Sequence, residues 1–242
     1  MDQTIVSQLA PHGVLRAAVN MSNFLLVTSR AENGDPQGCS PDMAAEVARQ
    51  LGVPLKLVPF KSPGEIADTA GQDIWDIGLI GAEPQRAAVM TFTNAYVEIE
   101  STYLVPAGSP IQSVADVDKP GVRLVTSARS AYGLWLENNI KHATLILAEG
   151  LDGSFNKFVD EKLDALAGLR PRLVEDVKKL PGARILDGQF SAVQQAIGTG
   201  RKNVEGAAFL HKLVEEAKAS GLVQSLLVKH GTVGRLSVAA AE

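Results

Sequence analysis

The sequence has only one cysteine, Cys39, in 242 residues, so it can form no internal disulfide and its redox compartment stays open. Its four histidines, His12, His142, His211 and His230, show no metal-ligand spacing with that cysteine, and we expect neither a metal nor a cofactor. No apolar run reaches the roughly 18 residues that a membrane-spanning helix needs. We therefore expect no membrane insertion.

Basic residues are not concentrated anywhere in the chain. The net charge is −4 and the pI about 5.6, so nothing is available to neutralise a phosphate backbone or an anionic membrane surface. Hydrophobic residues make up 45% and charged residues 21% of the chain, as in ordinary globular proteins. These values predict a folded protein without a nucleic-acid partner.

The first residues, MDQTIVSQLAPHG, lack the basic segment and apolar run of a secretory leader. Two interpretations stay open on the sequence alone. We expect a periplasmic protein if a leader was removed, and a cytoplasmic protein if Met1 is the native start.

Short runs rich in Val, Ile and Leu alternate with helical patterns in the first part of the chain. LRAAV, LKLVPF and WDIGLIG read as strands, separated by SPDMAAEVARQLG and a shorter helix, which is typical of successive βα units in a parallel sheet. For the longer helix we predict Ser40 as N-cap, Pro41 at the first helical position and Gly52 just past the end. Its sheet-facing positions are Met43, Val47 and Leu51.

The same alternation restarts near Gly121. GVRLVTS, TLILAEG, LDALAG and ARILDG read as strands, and the segments between them read as amphipathic helices. Two helices near the C-terminus end at Gly221 and Gly231, and the first buries Leu210, Leu213, Val214 and Ala217. YVEIESTYLVPAGSPI, between the two sets, is extended and has no Gly/Ser tether, so strands should join the two lobes.

The order of these segments resembles family 3 of the extracellular solute-binding proteins. In that family a Gly-Phe-x-x-Asp-Leu helix start, an Asp before the third strand, a Pro-x-Arg and a Phe-Ser/Thr-x-x-Tyr follow one another, and the resemblance extends over about the whole chain. The matching residues here are Asp42, Asp76, Pro84, Arg86, Phe92, Thr93 and Tyr96.

The resemblance implies an α/β fold of the two-lobed, type II periplasmic-binding-protein kind, with a mostly parallel sheet flanked by helices in each lobe. Residues 1–104 and 189–242 would form lobe one, and residues 105–188 would form an inserted lobe two. Hinge strands are expected near Ser101–Val105 and Gly188–Ser191, with a ligand in the cleft.

Arg86 would be the carboxylate anchor in such a protein, since a guanidinium pairs with a carboxylate through two parallel hydrogen bonds. In the prevailing family pattern Pro-x-Arg lies two residues further from the strand Asp than it does here. The shorter loop makes Gly81 and Ala82 present their backbones differently. Glu83 could meet a cationic group of the ligand, or it could pair internally with Arg86.

The family normally places an amine-binding Asp where this sequence has Leu169. An α-amino group would lose its usual counter-ion, so either Glu83 replaces it or the ligand's nitrogen is absent, alkylated or placed differently. Arg170 could add a second anion contact, although a solvated or interlobe salt-bridge role is favoured.

Further candidates lie at turns and helix starts. Ser130 and Arg129 would help hold the ligand carboxylate from lobe two, while the same serines are ordinary N-caps. Asn20, Asn23 and Phe24 follow the first strand, where relatives place an aromatic that stacks on the ligand; Asn23 falls nearest that place, and a plain turn is the alternative.

Two more positions carry a side chain that could bind a ligand or react. Gln194, with Gln195, could reach the cleft with amide donors, although glutamines near helix starts are commonplace. Cys39 is interpreted as a small packed residue, because no base accompanies it.

The expected function is binding of one small carboxylated ligand, an amino acid, betaine or related molecule, for ABC-type uptake. The expected partner is an ABC permease, the expected state is a monomer, and no catalytic residue is assigned. The alternative is a catalytic relative resembling cyclohexadienyl dehydratase, in which Glu83 would be the acid or base and Arg86 would hold the substrate carboxylate.

Overall fold

The computed structural model describes residues 2–241 and divides into two compact units. The outer unit comprises Met1–Glu98 and Gln194–Glu242, and the inserted unit comprises Ile99–Val193. The expected lobe boundaries were 104/105 and 188/189. The chain passes from one unit to the other within two strands, which are defined below as β7 and β12.

In chain order the first elements are α1 (Gln3–Leu9), β1 (Leu15–Asn20), β2 (Ser29–Arg30), β3 (Pro36–Gln37), α2 (Cys39–Leu51), β4 (Leu55–Phe60), α3 (Pro63–Asp68), β5 (Ile77–Gly81), α4 (Pro84–Ala87), β6 (Met90–Phe92) and β7 (Val97–Val105). Then follow a 3-10 turn (Val114–Asp116), β8 (Arg123–Ser127), α5 (Ala131–Asn139), β9 (Thr144–Ala148), α6 (Gly150–Asp160), β10 (Ala165–Leu169), α7 (Arg170–Val177), β11 (Arg184–Ile185), β12 (Ser191–Gly200), α8 (Val204–Ala219), α9 (Leu222–Lys229) and β13 (Ser237–Val238).

The sheet of the outer unit has the strand order β4-β1-β5-β12. Strand β1 is parallel to both neighbours, with Ala17 opposite Leu57 on β4 and Ile77 on β5, whereas β12 is antiparallel to β5. Parallel neighbours need crossover connections, and α2 and α3 supply them. The predicted βα alternation is confirmed in this unit.

Helix α2 begins two residues earlier than predicted, at Cys39, so Pro41 is its third residue and not its first. Its N-cap is Gly38, with φ 154°, so the prediction of Ser40 as N-cap was wrong. A Cβ at Gly38 would lie 2.1 Å from the carbonyl oxygen of Leu26, an approach that only glycine permits. The other end is as predicted, because Gly52 closes the helix with φ 71°. The predicted sheet-facing side chains are buried: Met43, Val47 and Leu51.

The C-terminal helices also follow their apolar pattern. Four side chains of α8 are buried as predicted: Leu210, Leu213, Val214 and Ala217. Burial of each leucine or valine side chain contributes on the order of 1.5–3 kcal/mol to the stability of the fold. Helix α1, which the sequence analysis did not identify, packs against α8, where Gly206 donates its backbone N–H to the side-chain oxygen of Gln8 at 2.8 Å. Gly206 admits this approach because a Cβ there would lie 2.8 Å from Leu9.

The sheet of the inserted unit repeats the same strand plan, in the order β9-β8-β10-β7, with β11 beside β7. Strands β9, β8 and β10 are parallel, and β7 is antiparallel to β10. Both faces are covered: Leu136 of α5 packs in one cluster with Leu124, and Phe158 of α6 packs in another with Val125. The two crossover helices therefore lie on opposite faces of this sheet.

An Arg-Asp pair joins the starts of two parallel strands in each unit. The backbone N–H and Nε of Arg16 donate to Asp76 Oδ2 at 2.8 and 3.1 Å. Arg123 makes the same two bonds to Asp164, also at 2.8 and 3.1 Å. Each pair locks the amino ends of neighbouring strands in register. We call the two pairs the amino-edge clasps.

Within residues 2–241, no helix combines the length and the apolar character needed to span a bilayer.

Candidate functional site

The carboxyl ends of β1, β4 and β5 lie at one edge of the outer sheet, because these strands are parallel. The chain leaves β1 toward β4 and then returns to the other side of β1 to form β5. In open α/β sheets, ligands commonly bind at the carboxyl edge where successive crossovers leave one strand in opposite directions, which here is the position between β1 and β5. The loops that begin at Asn20 and Gly81 flank this position.

The loop after β1 is a side-chain-stabilised turn. Asn20 Oδ1 accepts hydrogen bonds from the backbone N–H and hydroxyl of Ser22, at 3.1 and 2.7 Å. Asn23 is buried, and its Oδ1 accepts from the N–H groups of Leu25 and Leu26 at 3.2 and 3.3 Å. These contacts are those of the turn alternative. A ligand contact by either asparagine stays a prediction.

Phe24 is half-buried in the same loop. The guanidinium carbon of Arg235 lies 5.6 Å from its ring centroid, in a cation–π arrangement. One face of the ring is thus already covered from within the outer unit, and stacking on a ligand is left to the other face.

The loop after β5 is very tight. Ala82 donates its N–H to Gln194 O at 2.8 Å, and the N–H groups of Arg86 and Ala87 both donate to Glu83 O at 2.9 Å. Glu83 is therefore the N-cap of the single turn α4. The short spacing noted in the sequence is used to turn the chain directly from the strand into this helix.

Arg86 folds back onto the end of its own strand. Its side chain is buried, with the residue 2% exposed, and Nη1 donates to Gly81 O at 2.7 Å. A buried guanidinium is costly unless its donors are used, and the bond to Gly81 O uses one of them. Its role as a ligand anchor stays a prediction.

Glu83 is a half-buried carboxyl whose side chain makes no capping bond. Burial raises its pKa to about 7, and the positive charge of Arg86 opposes that rise without cancelling it. Around neutral pH this group exchanges between a hydrogen-bond donor and an anion.

Gln194 and Gln195 lie on strand β12, so placing them near a helix start was wrong. Successive strand residues point to opposite faces, and Gln195 is buried while Gln194 is half-buried. Gln194 O accepts from Ala82 at the edge of the candidate site. Its backbone therefore helps to build the loop after β5.

The inserted unit has an equivalent switch point, between β8 and β10, since α5 and α6 lie on opposite faces. The loop after β8 carries Ser127 to Ser130. Ser130 Oγ donates to Ser127 O at 2.7 Å and accepts from Gly133 N at 3.0 Å, so it is the N-cap of α5. The capping prediction for Ser130 is confirmed, and the ligand contact stays a prediction.

Arg129 has φ 60°, a left-handed conformation that is unusual for a large side chain. Such backbone strain is concentrated at functional sites and turns. The conformation turns the exposed Arg129 side chain out of the strand direction, at the start of a helix whose first N–H groups have no partner within the helix.

Leu169 ends β10 and is buried, 7% exposed. The next residue, Arg170, opens α7 and donates from Nε to Glu100 at 2.6 Å and from Nη2 to Gly188 O. Arg170, Glu100 and Gly188 belong to the same unit, so the favoured salt bridge exists but is not an interlobe one. A second anion contact by Arg170 stays a prediction.

Three buried hydroxyl residues of the inserted unit were not predicted as site candidates from the sequence. Tyr132 is buried and burial raises its pKa to about 12, although hydrogen bonding with Ser130 and Ser127 opposes the rise. Ser101 Oγ and Thr126 Oγ1 are buried without a hydrogen-bond partner among the described residues. Nothing in the sequence distinguishes them from ordinary strand and helix residues, because only burial makes them unusual.

Several residues of the family-like pattern stabilise the fold. Asp42 accepts from Lys229 and pairs with His230, both at 2.7 Å, and so ties α2 to α9. The hydroxyls of Tyr96 and Ser40 lie 2.7 Å apart. Asp76 belongs to the amino-edge clasp, on the side of the sheet opposite the candidate loops.

Cys39 is fully buried, and burial raises its pKa to about 12, with the charge of Asp42 adding to the effect. It is a packed residue, as expected, and a poor nucleophile.

An apolar groove lies at the other edge of the inserted sheet. It is floored by the buried Phe158 and Leu163 and bounded by Ala107 and Pro181. These residues adjoin the amino end of β10 and the carboxyl end of its antiparallel neighbour β7. The groove is therefore separate from the loops that follow β8 and β10.

Solved structures with the same fold include several amino-acid-binding proteins. AbpA, an amino acid ABC transporter substrate-binding protein from Streptococcus pneumoniae bound to L-arginine, is 19% identical with a TM-score of 0.72, covering 92% of this chain and 96% of its own. A structure described as a binding component of an ABC transporter from Wolinella succinogenes, complexed with lysine, is 20% identical with a TM-score of 0.73, covering 90% and 95%.

A third similar structure is the ancestral amino acid-binding protein AncCDT-1, a precursor of cyclohexadienyl dehydratase. It is 19% identical with a TM-score of 0.73, and the match covers 93% of this chain and 97% of that one. At these identities the likeness shows the type II periplasmic-binding-protein fold. No curated protein matches the chain.

The family model of the bacterial extracellular solute-binding proteins, family 3, matches residues 15–233. That span contains both units' parallel sheets and all the loops described above. The chain belongs to family 3 of the bacterial extracellular solute-binding proteins.

Proposed function

We propose that this protein binds one small carboxylated, amino-acid-like molecule and delivers it to an ABC permease. The observation that carries the proposal is the position of Arg86, a buried guanidinium at the carboxyl end of β5, beside the switch point of the outer sheet. Membership of the solute-binding family and the amino-acid ligands of the similar structures support it.

The chemistry of the loops suits such a ligand. Arg86 brings a planar guanidinium fork, the side-chain group best suited to pair with a carboxylate, to the loop after β5. Glu83 adds one carboxyl next to the fork. A ligand that carries a carboxylate together with a second polar group matches this set better than an apolar or purely cationic one.

A thermal-shift screen of amino acids, imino acids, betaines and diacids tests the proposal, because a ligand that binds only the folded state raises Tm. Arg86→Ala should weaken a hit by about 100-fold, since hydrogen bonds to a charged group are worth roughly 1.5–3 kcal/mol. Arg86→Lys keeps the charge but loses the fork, and should also weaken binding.

Arg49→Ala is the matched control, because Arg49 is exposed on α2 and, among residues 2–241, pairs only with Glu46 of its own helix. Full affinity of a folded Arg86→Ala variant would contradict the anchor role. Following each hit by NMR with the protein then separates binding from the dehydratase-like alternative, since a bound solute persists and a substrate is converted.

A further inference from the structure

Glu83 differs from the other buried acids of the chain in how its carboxyl is held. Asp76 accepts three hydrogen bonds from Arg16, and Asp176 is paired with Arg172 and Lys179. No hydrogen bond or ion pair engages the Glu83 carboxyl among the described residues, and its helix position brings no side-chain cap. A half-buried acid without a partner is expensive unless something else supplies one.

Its surroundings define what that partner could be. Glu83 and Arg86 stand three residues apart across the single turn α4, so a carboxyl and a guanidinium are presented by one short loop. In the long loop after β1 the acids, Glu32 and Asp35, are exposed in the β2–β3 hairpin.

We propose that Glu83 is the counter-ion of an ammonium group on the ligand, and that capture of this ligand drives a proton from the Glu83 carboxyl into solvent. The inference rests on the proposed function and adds the residue that selects for the amine. A ligand with a carboxylate for Arg86 and an ammonium for Glu83 complements the two charges of this turn.

The proton balance follows from burial. In the free protein burial favours the neutral carboxyl, with a pKa near 7, and an ammonium in contact would lower that pKa. At pH 6 most molecules must therefore release one proton when the ligand binds, whereas at pH 8.5 almost none must. The affinity should rise about tenfold per pH unit well below pH 7 and level off above pH 8.

The groups around Glu83 leave few other sources for that dependence. Arg86 is the charged residue that acts on it. The neighbouring strands contribute Asn20 from the end of β1 and Gln194 from β12, and neither titrates. A ligand that placed an anion or a bare acceptor on Glu83 would need the protonated form, and its affinity would fall with rising pH.

Isothermal titration calorimetry between pH 5.5 and 8.5, in two buffers of different ionisation enthalpy, measures both affinity and proton release. The probes are L-arginine, L-lysine and L-glutamine, with glutarate as an acid that lacks the ammonium. We expect a probe with an ammonium to bind more tightly as pH rises and to release close to one proton at pH 6.

Glu83→Gln should abolish the pH dependence and the proton release, and weaken the amino acid at least tenfold at pH 8. Glu32→Gln removes the same charge from the exposed hairpin and should behave like the parent protein. Should Glu83→Gln fail to fold, Glu83→Asp keeps the acid but shortens its reach, and a weaker amino acid affinity is again expected.

The thermal stability of the ligand-free protein tests the protonation of the Glu83 carboxyl directly. Because the pKa of Glu83 is raised on folding, its contribution to stability is complete below about pH 4.5 and is lost as pH rises through 7. Glu83→Gln should therefore gain Tm over the parent between pH 5 and pH 8.

The outcomes separate the two proposals. Loss of binding in Arg86→Ala but unchanged affinity and pH slope in Glu83→Gln would overturn the counter-ion role and leave the proposed function standing. Tighter binding of glutarate than of every amino acid, or affinity that falls with pH, would also overturn it. Failure of all probes to bind the parent protein would count against both.

Discussion

Gly38 is the residue on which the start of α2 depends, and its replacement by alanine tests the packing directly. A Cβ there would lie 2.1 Å from Leu26 O, 2.7 Å from Leu26 C and 2.9 Å from Val27 Cα. These are backbone atoms, held in place because Leu26 O accepts from Ser40 N at 3.2 Å. The clash cannot be relieved by a side-chain rotation.

The cost of Gly38→Ala can be estimated from two contributions. Overpacking typically costs about 1–3 kcal/mol, and the conformation of Gly38, with φ 154° and ψ −175°, lies in a region used essentially by glycine alone and costs roughly 1–3 kcal/mol for other residues. A total of about 3 kcal/mol corresponds to a Tm loss of roughly 6–12 °C in a chain of this size. Leu26 and Val27 belong to the loop after β1, so the clash should displace that loop and ligand affinity should fall as well.

Gly52→Ala is the matched control at the other end of the same helix. Gly52 also has positive φ, 71°, but a Cβ there would meet no atom within 4 Å. Only the backbone strain is added, so we expect a loss of about 1 kcal/mol, or roughly 2–4 °C. Thermal unfolding followed by circular dichroism compares the two. Equal losses would refute the argument from close approach.

The remaining predictions concern a clasp and a thiol. Asp76→Asn leaves Arg16 without its main charge partner, in a pair whose side chains are 4% and 13% exposed, and should cost about 3 kcal/mol. Asp164→Asn breaks the equivalent clasp where the side chains are 38% and 46% exposed, and should cost at most about 1 kcal/mol; similar losses in urea unfolding would contradict the dependence on burial. Cys39, with its pKa near 12, should not react with a thiol reagent in the native protein at pH 8 and should react fully in guanidinium; rapid native labelling would show that it is not packed as described.

Much of the fold could be predicted from periodicity. The strands of both parallel sheets and the helices between them follow from apolar runs and punctuation, and Gly52 and Gly221 take the left-handed conformations expected at helix ends. The N-cap of α2 could not be predicted, because Gly38 is selected by a contact with Leu26 that is distant in sequence.

The second hinge strand was expected near Gly188–Ser191, but β12 runs from Ser191 to Gly200, and it was misplaced for a different reason. Its sequence, SAVQQAIGTG, carries two glutamines and two glycines and lacks the apolar run of a buried strand. The strand is formed by pairing with β5, where Gln195 lies opposite Gly81 and Thr199 opposite Ile77. Propensity alone is a weak guide when neighbouring strands decide the structure.

The candidate site was only partly readable. The order of the loops and the Pro-x-Arg motif identified Arg86 and Glu83 as candidate site residues. The sequence could not show that Arg86 folds onto Gly81 O, that Asn20 and Asn23 use their side-chain oxygens within a turn, or that Arg170 pairs with Glu100. Each depends on side-chain direction after folding.

The two edges of each sheet carry different kinds of charge. At the amino edge the acids are paired, as Asp76 is with Arg16 and Asp164 with Arg123, so these charges stabilise the register of the strands. At the carboxyl edge of the outer sheet, the half-buried Glu83 carboxyl makes no capping bond to α4, and burial destabilises its charged form. A cost of this kind persists where a function offsets it. A ligand ammonium would supply the missing partner, which is why we place specificity at Glu83 and not in the clasps.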